Sequence, residues 1–274
     1  MGAATMPILR NLAAVVIGAS ALGFVVSCTG GPLNASGAPM PVSSPPQQAS
    51  HVAKGGSQTE TVMTVGSSVA AGWGDAPGMG GYLARAFRSL SAATKTDYRI
   101  ASYAFGGVTG TQIAKQFPKW LARANPAVVA ISWGGMDDLV AGTPISTFES
   151  VIKSEIDQVL AMHAVALIVT PPVTAAAAVN GLNKEPYLYF QAEMKVAQAM
   201  NNPNVHVFDV FDQMWNYLQQ NHLSYTQFMA DGWHPNAAGH ALAGHFLFED
   251  LVGAFGTQPI QYIASSGAVP SAAG

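Results

Sequence analysis

Only one cysteine, Cys28, occurs among the 274 residues. A single thiol permits no internal disulfide and no cysteine-held metal cluster. Charge is also scarce. Asp, Glu, Lys and Arg make up 10% of the chain, against roughly 25% in an ordinary soluble domain. The net charge is -3 and no run of Lys or Arg exists. Nothing therefore draws the chain to nucleic acid, whose phosphates demand clustered cations. His163, His206, His222, His240 and His245 are scattered. No pair of them has the spacing of a metal site, so they read as structural. No internal repeat is visible, which sets aside solenoid and propeller arrays.

What is present is unevenly distributed. Arg10 precedes an apolar run from Leu12 to Val26. That run is short for a membrane span, which takes about 20 residues, and fits the apolar centre of a signal peptide. It ends in Val25-Val26-Ser27-Cys28, which resembles a bacterial lipoprotein cleavage box. The resemblance implies that Cys28 becomes a diacylated N-terminus. The acyl chains would hold the protein on the extracytoplasmic side of a bacterial membrane. Residues 1–27 are then signal peptide. Residues 28–58 are mostly Gly, Pro, Ser, Ala and Gln; they cannot bury a core and read as a disordered tether. The expected folded domain is 59–256, with a flexible tail at 257–274.

Within that domain, short apolar runs alternate with helical patterns. Strands are expected at Thr61–Gly66, Tyr98–Ala104, Ala127–Trp133, Val165–Thr170 and Val205–Val210. Helices are expected at Tyr82–Ser91, Thr111–Ala124, Ile145–Ala164, Glu185–Met200, Phe211–Asn221 and Ala237–Phe255. Pro118 should kink or divide the second of these. Residues 173–179, "VTAAAAV", read either as a lid or as the start of a small-residue helix. Strand–helix alternation implies parallel βαβ units. Strands without polar alternation imply burial on both faces. The expected fold is an α/β, three-layer α/β/α sandwich of about five parallel strands.

In such sheets, sites form beyond the carboxyl ends of the strands. The first strand ends at Gly66-Ser67-Ser68, the second runs into Phe105-Gly106-Gly107, and the third into Gly134-Gly135-Met136-Asp137-Asp138. Beyond the fifth lies Asp231-Gly232-Trp233-His234-Pro235. A hydroxyl is a poor nucleophile until a base takes its proton. A neutral imidazole can do so near neutral pH, and a carboxylate can fix its tautomer. All three groups are supplied at this edge.

These blocks, in this order, resemble the SGNH or GDSL-type hydrolase superfamily across nearly the whole expected domain. The resemblance implies a flavodoxin-like α/β fold and a serine esterase without metal or organic cofactor. The family's first block is Gly-Asp-Ser-x-x-x-Gly. Here it reads Gly66-Ser67-Ser68-Val69-Ala70-Ala71-Gly72, so the spacing selects Ser68 as nucleophile and Ser67 replaces the usual Asp. The second block implies an oxyanion-binding backbone N–H at Gly107, with Gly106 as rival; the N–H of Ser68 is the other backbone donor. The fourth block, Asp-x-x-His, makes His234 the base and Asp231 its orienting acid, with Asn236 capping the closing helix.

The third block departs from the family. Its Gly-x-Asn-Asp supplies a side-chain amide to the oxyanion. Aligning Asp138-Leu139 puts Asp137 at the Asn position, whereas aligning Gly134-Gly135 puts Met136 there. An ionised Asp cannot donate a hydrogen bond, and a protonated one can. Trp73, Trp133 and Trp233 sit beside signature blocks; they either wall an apolar or sugar-binding cleft or pack internally. The expected activity is hydrolysis of a carboxylic ester carrying a small acyl group, on an extracellular glycan or a lipid. An O-acyltransferase of the same chemistry and a catalytically weakened binding module are the alternatives.

Overall fold

Val62, Met63, Val65, Val128, Val129 and Ile131 have no accessible surface. Such runs bury both faces of a strand, so layers must cover the sheet on each side. A computed structural model of the chain describes residues 58–178 and 184–264. The strands are β1 (Gln58–Gly66), β2 (Thr96–Ala104), β3 (Val128–Ser132), β4 (Val165–Val169) and β5 (Val205–Phe208). All pair in parallel, in the spatial order β2-β1-β3-β4-β5.

The helices among the described residues are α1 (Gly81–Ala93), α2 (Gly110–Ile113), α3 (Phe117–Ala124), α4 (Met136–Val140), α5 (Ile145–Ala161), α6 (Ala175–Ala178), α7 (Lys184–Ala199), α8 (Val210–Gln220) and α9 (Ala237–Phe255). A 3-10 turn spans Tyr225–Phe228. One apolar cluster joins Val62, Val128, Ala130 and Leu167 to Phe87 of α1, Phe211 of α8 and Leu247 of α9. The other joins Met63, Val65, Ile131 and Ile168 to Phe117 of α3, Ile152 of α5 and Ala192 of α7. Alternate strand residues feed opposite clusters because successive side chains point to opposite faces. The result is the three-layer α/β/α sandwich of five parallel strands.

The chain leaves β1 towards β2 on one side and returns to β3 on the other. That reversal opens a crevice at the carboxyl ends of β1 and β3, where α/β sheets bind ligands. Gly66 closes β1 at this point, paired with Ser132 of β3. A Cβ on Gly66 would stand 2.0 Å from the Ser132 carbonyl oxygen. Only glycine lets the two strand ends approach so closely.

Several boundaries differ from the sequence expectation. The helix expected over Thr111–Ala124 is divided into α2 and α3, with Pro118 in the first turn of α3, where its missing N–H costs nothing. The fifth strand stops at Phe208, because Asp209 turns to cap α8 and accepts from the Asp212 N–H at 3.1 Å. Residues 175–178 form α6; Val173, Ala177 and Ala178 are buried in the core. Ile260 is buried, its N–H donates to the Tyr98 hydroxyl at 3.0 Å, and Asn204 brackets the Ile263 backbone with two hydrogen bonds. Cys28, the expected signal and the expected tether up to residue 57 lie outside the described residues.

Candidate active site

After β1 the chain coils tightly through Ser67–Trp73. The Ala71 N–H donates to Ser67 O and the Trp73 N–H to Ser68 O, each at 3.0 Å. This turn lifts the Ser68 hydroxyl to the sheet's rim while Ser67 stays buried. A second tight loop arrives from the 3-10 turn. Met229 bridges Pro235, and the Ala230 N–H donates to His234 O at 2.9 Å. Asp231 Oδ1 accepts from the N–H groups of Trp233 at 2.7 Å and His234 at 2.8 Å. One carboxylate oxygen thus organises the whole Asp-x-x-His turn. Asn236 anchors the loop from its other end. Its side chain accepts from Ala238 N–H and Gly239 N–H, capping α9, and donates to Gln227 O and Met229 O.

These loops bring Ser68, His234 and Asp231 together. His234 Nε2 lies 3.0 Å from Ser68 Oγ. His234 Nδ1 lies 2.9 and 3.0 Å from the two Asp231 oxygens. A carboxylate only accepts, so Nδ1 carries the imidazole hydrogen and Nε2 is left to accept from the serine. The bond to His234, joined by the two backbone N–H groups, holds the Asp231 carboxyl below the usual carboxylate range. Asp231 is also open to water, its side chain 55% exposed, against 17% for His234. Exposure screens its charge, so orientation is its main contribution.

The second and third loops follow β2 and β3, the two strands that flank β1. Asp137 stands in the first turn of α4, and Gly107 and His234 are near enough to favour its ionised form. Burial nevertheless raises Asp137 above its ordinary pKa. Met136 precedes it at the start of α4. Gly106 has a different neighbour: the Trp73 indole covers it, leaving a Cβ only 2.6 Å from the ring. Asp138 is buried, its Oδ1 has no hydrogen-bond partner among the described residues, and burial raises its pKa.

The three tryptophans separate. Trp133 is buried and its Nε1 donates to Glu155 at 2.8 Å, so it packs internally. Trp73 and Trp233 are 54% and 49% exposed. The Trp73 ring lies 5.5 Å from the His234 ring, tilted by 39°.

A supporting frame behind Trp73 was not singled out in the sequence. His240 is fully buried; its Nδ1 accepts from the Tyr82 N–H at 3.2 Å and its Nε2 donates to the Trp73 carbonyl at 2.9 Å. Asp75 binds Arg85 through two hydrogen bonds and accepts from the Gly81 N–H. The only sequence signal for this frame was an acid in the loop after the first block, with an arginine following in the next helix.

A family profile for GDSL-like lipases and acylhydrolases matches residues 64–242. The chain belongs to the GDSL-like lipase/acylhydrolase family. The match spans all four loops described above, and membership makes this GDSL hydrolase an enzyme of carboxylic ester hydrolysis by class. Similar solved structures include an acetyl xylan esterase, Axe2, from Geobacillus stearothermophilus. It is 16% identical, with TM-score 0.58, over 74% of this chain and 96% of its own. TesA is 24% identical, with TM-score 0.52, over 71% and 97%. The esterase EstA from Pseudoalteromonas sp., solved with monoethylphosphonate as inhibitor, is 15% identical, with TM-score 0.54, over 71% and 97%. At these identities the likeness is one of fold. A search of curated protein sequences returned no significant match.

Proposed function

We propose that this GDSL hydrolase is a serine esterase that cleaves its substrate through an acyl-enzyme on Ser68. The observation that carries this reading is the unbroken line from Ser68 Oγ to His234 Nε2 and from His234 Nδ1 to Asp231. His234 takes the Ser68 proton as the oxygen attacks the ester carbonyl. The imidazolium is steadied by Asp231 and returns the proton to the leaving alkoxide, which departs as an alcohol. Water, deprotonated by His234, then cleaves the acyl-enzyme and regenerates Ser68. The negative oxygen formed in each step meets the backbone N–H groups of Ser68 and Gly107, with Asp137 beside the same hole. Preorganised donors of this kind are commonly the largest single contribution to the rate.

The substrate is an acetylated or similarly short-acylated glycan, whose sugar hydroxyl is the alcohol released. The exposed Trp73 ring lies beside His234, and Trp233, also exposed, precedes His234 in the chain; flat aromatic surfaces suit the apolar faces of sugar rings. The similar Axe2 structure is that of an acetyl xylan esterase. Lipidation at Cys28 would hold the enzyme at an extracytoplasmic membrane surface, where such glycans are accessible. The cleavage-box pattern of residues 25–28 supports this.

Turnover of short-chain p-nitrophenyl esters tests the assignment. Ser68→Ala should abolish it with the far-UV spectrum and melting temperature unchanged, and a fluorophosphonate should label the parent chain at Ser68. Labelling at Ser67 instead, or full activity in Ser68→Ala, would overturn it. Membrane attachment is tested separately: Cys28→Ala should move the protein from the membrane fraction to the soluble one.

A further inference from the structure

Three aromatic rings gather at the edge of the sheet, outside the reacting groups. β2 is an edge strand. Tyr103 near its end and Phe105 just beyond it project to the same side, as residues two apart do. Trp120 of α3 meets both. Its ring stacks on Tyr103 at 5.3 Å and 27°, and tilts against Phe105 at 5.5 Å and 41°. The cluster is open to water: Phe105 is 39% exposed, and Tyr103 and Trp120 are half-buried. It also adjoins the site. The Phe105 N–H donates to the carbonyl of Gly66 at 3.0 Å, and Gly66 leads directly into Ser67 and Ser68. The next residue, Gly106, lies under the Trp73 indole, whose ring is 5.5 Å from that of His234. Consecutive residues, Phe105 and Gly106, thus link the outer aromatic cluster to the indole beside the base.

Charge along this stretch is of one sign. From Tyr98 to Met136 the chain carries Arg99, Lys115, Lys119 and Arg123 and no acid, although its net charge is -3. Arg99 is paired with Asp97. Lys115, Lys119 and Arg123 are exposed and make no side-chain hydrogen bond or ion pair among the described residues. Arg123 follows Trp120 by three residues on α3, which makes the two neighbours on the helix surface. Lys119 stands four residues before Arg123, a spacing at which like charges repel. That pair costs the fold stability, and an anion from outside would relieve it.

We propose that this aromatic and cationic face is a second glycan subsite, which holds an acidic sugar of the substrate away from the scissile ester. The inference rests on the glycan reading above and narrows the substrate to a short-acylated polysaccharide that carries carboxylates. Phe105 and Trp120 stack against the C–H face of a sugar ring, whose weakly positive hydrogens meet the negative faces of the aromatic rings. Lys119 and Arg123 receive the carboxylate, Arg123 through two parallel N–H donors. From there the glycan passes over Phe105 and Gly106 to bring its ester to Ser68. A lipid surface would call for apolar side chains standing out from the face. Here the rings lie against one another, and Phe105 alone of the three is exposed. Contacts so far from the reacting carbonyl are equal in the ground and transition states, so their effect falls on KM and leaves kcat alone.

Three probes test this on the full-length chain in detergent at low salt. They are an acetylated oligogalacturonate, the same oligosaccharide with its carboxyls reduced to alcohols, and p-nitrophenyl acetate, which is too small to reach α3. The parent chain should show a KM for the acidic oligosaccharide about tenfold below that for the reduced one, and added salt should close the gap. Lys119→Gln/Arg123→Gln changes only exposed positions. It should bring the two KM values together, with kcat and p-nitrophenyl acetate turnover unchanged and the melting temperature no lower. Trp120→Ala should raise KM for both oligosaccharides about tenfold, and Trp120→Phe, which keeps a ring there, should recover most of that loss. Equal KM values in the parent chain, or a gap that survives Lys119→Gln/Arg123→Gln, overturns the subsite and leaves the esterase standing. A membrane role is read in the Cys28→Ala chain with phosphatidylglycerol vesicles. If Lys119→Gln/Arg123→Gln abolishes vesicle binding and leaves both KM values unmoved, the face belongs to a membrane and the subsite falls. If p-nitrophenyl acetate is cleaved and neither oligosaccharide is, the glycan reading falls and takes the subsite with it.

Discussion

His240 is buried among groups that keep it neutral, although the nearby Asp75 carboxylate favours its charge. It lies fully buried between a backbone donor, the Tyr82 N–H, and a backbone acceptor, the Trp73 carbonyl. Only the neutral Nε2–H tautomer satisfies both. Protonation would turn a hydrogen towards the Tyr82 N–H, and burial accordingly lowers the His240 pKa. The sign of the linkage follows. Below the unfolded value of about 6.5 the unfolded chain binds the extra proton more readily than the folded one. The stability His240 contributes is complete above that pH and is lost as pH falls through the lowered folded value. His240→Ala leaves two buried backbone groups unpaired and should cost about 2–5 kcal/mol in urea unfolding. It should also lower kcat, because the Trp73 ring beside His234 loses its anchor. Asp231→Asn should show the opposite pattern. Its side chain is mostly exposed, so the melting temperature should barely change, whereas the favoured imidazole tautomer reverses and turnover should fall about 10⁴-fold.

Elements place these residues, and the junction of β1 with β3 matters most. Gly66→Ala would drive a methyl into the Ser132 carbonyl. Backbone cannot yield there as a flexible side chain can, so the strand ends must part. A loss above about 4 kcal/mol is expected in thermal or denaturant unfolding, with Ser68 displaced from His234. Phe87→Ala in α1 empties a fully buried site in one of the two apolar clusters. It should cost about 3–5 kcal/mol while leaving the rim geometry intact.

The five strands and the long helices were legible because each repeats its pattern over enough residues to show a period. The helix α4 was not, and α6 was legible only as one of two alternatives with a lid; at five and four residues, about one turn, each is too short for any 3.6-residue period to register. The Asp231–His234 contact was legible because it closes within one turn. Its meeting with Ser68 spans 166 residues, and only the order of the blocks and the strand-end rule pointed to it. The His240–Trp73 bond spans 167 with no block to mark it. A backbone carbonyl carries no residue signature, so that partner was invisible. The choice between Met136 and Asp137 was likewise not legible, because two alignments of the third block put different residues at the same position.

Across the whole molecule, the acids sealed beneath this rim set a preferred pH. Glu155 is completely buried, bonded through one oxygen to Trp133, while its other oxygen has no partner among the described residues. Glu193 is equally buried. The Gly134 N–H faces it, yet neither oxygen makes a hydrogen bond of normal geometry. Buried carboxylates without cations are too costly to persist, so both remain protonated in the fold. Burial raises Glu155 to about 8 and Glu193 well above its ordinary value of 4.5. Between about 4.5 and 8 the folded chain therefore holds protons that the unfolded chain has released, and stability must fall as pH rises through that window. His240 acts in the opposite sense below about 6.5, but it is one group against two with larger displacements. The melting temperature should be highest in mild acid and decline towards pH 8. Glu155→Gln and Glu193→Gln replace the titrating group with a neutral one of the same shape, so each should flatten that decline and the pair should nearly remove it. A melting temperature that rises from pH 5 to 8 in the parent chain would show that these acids ionise inside the fold.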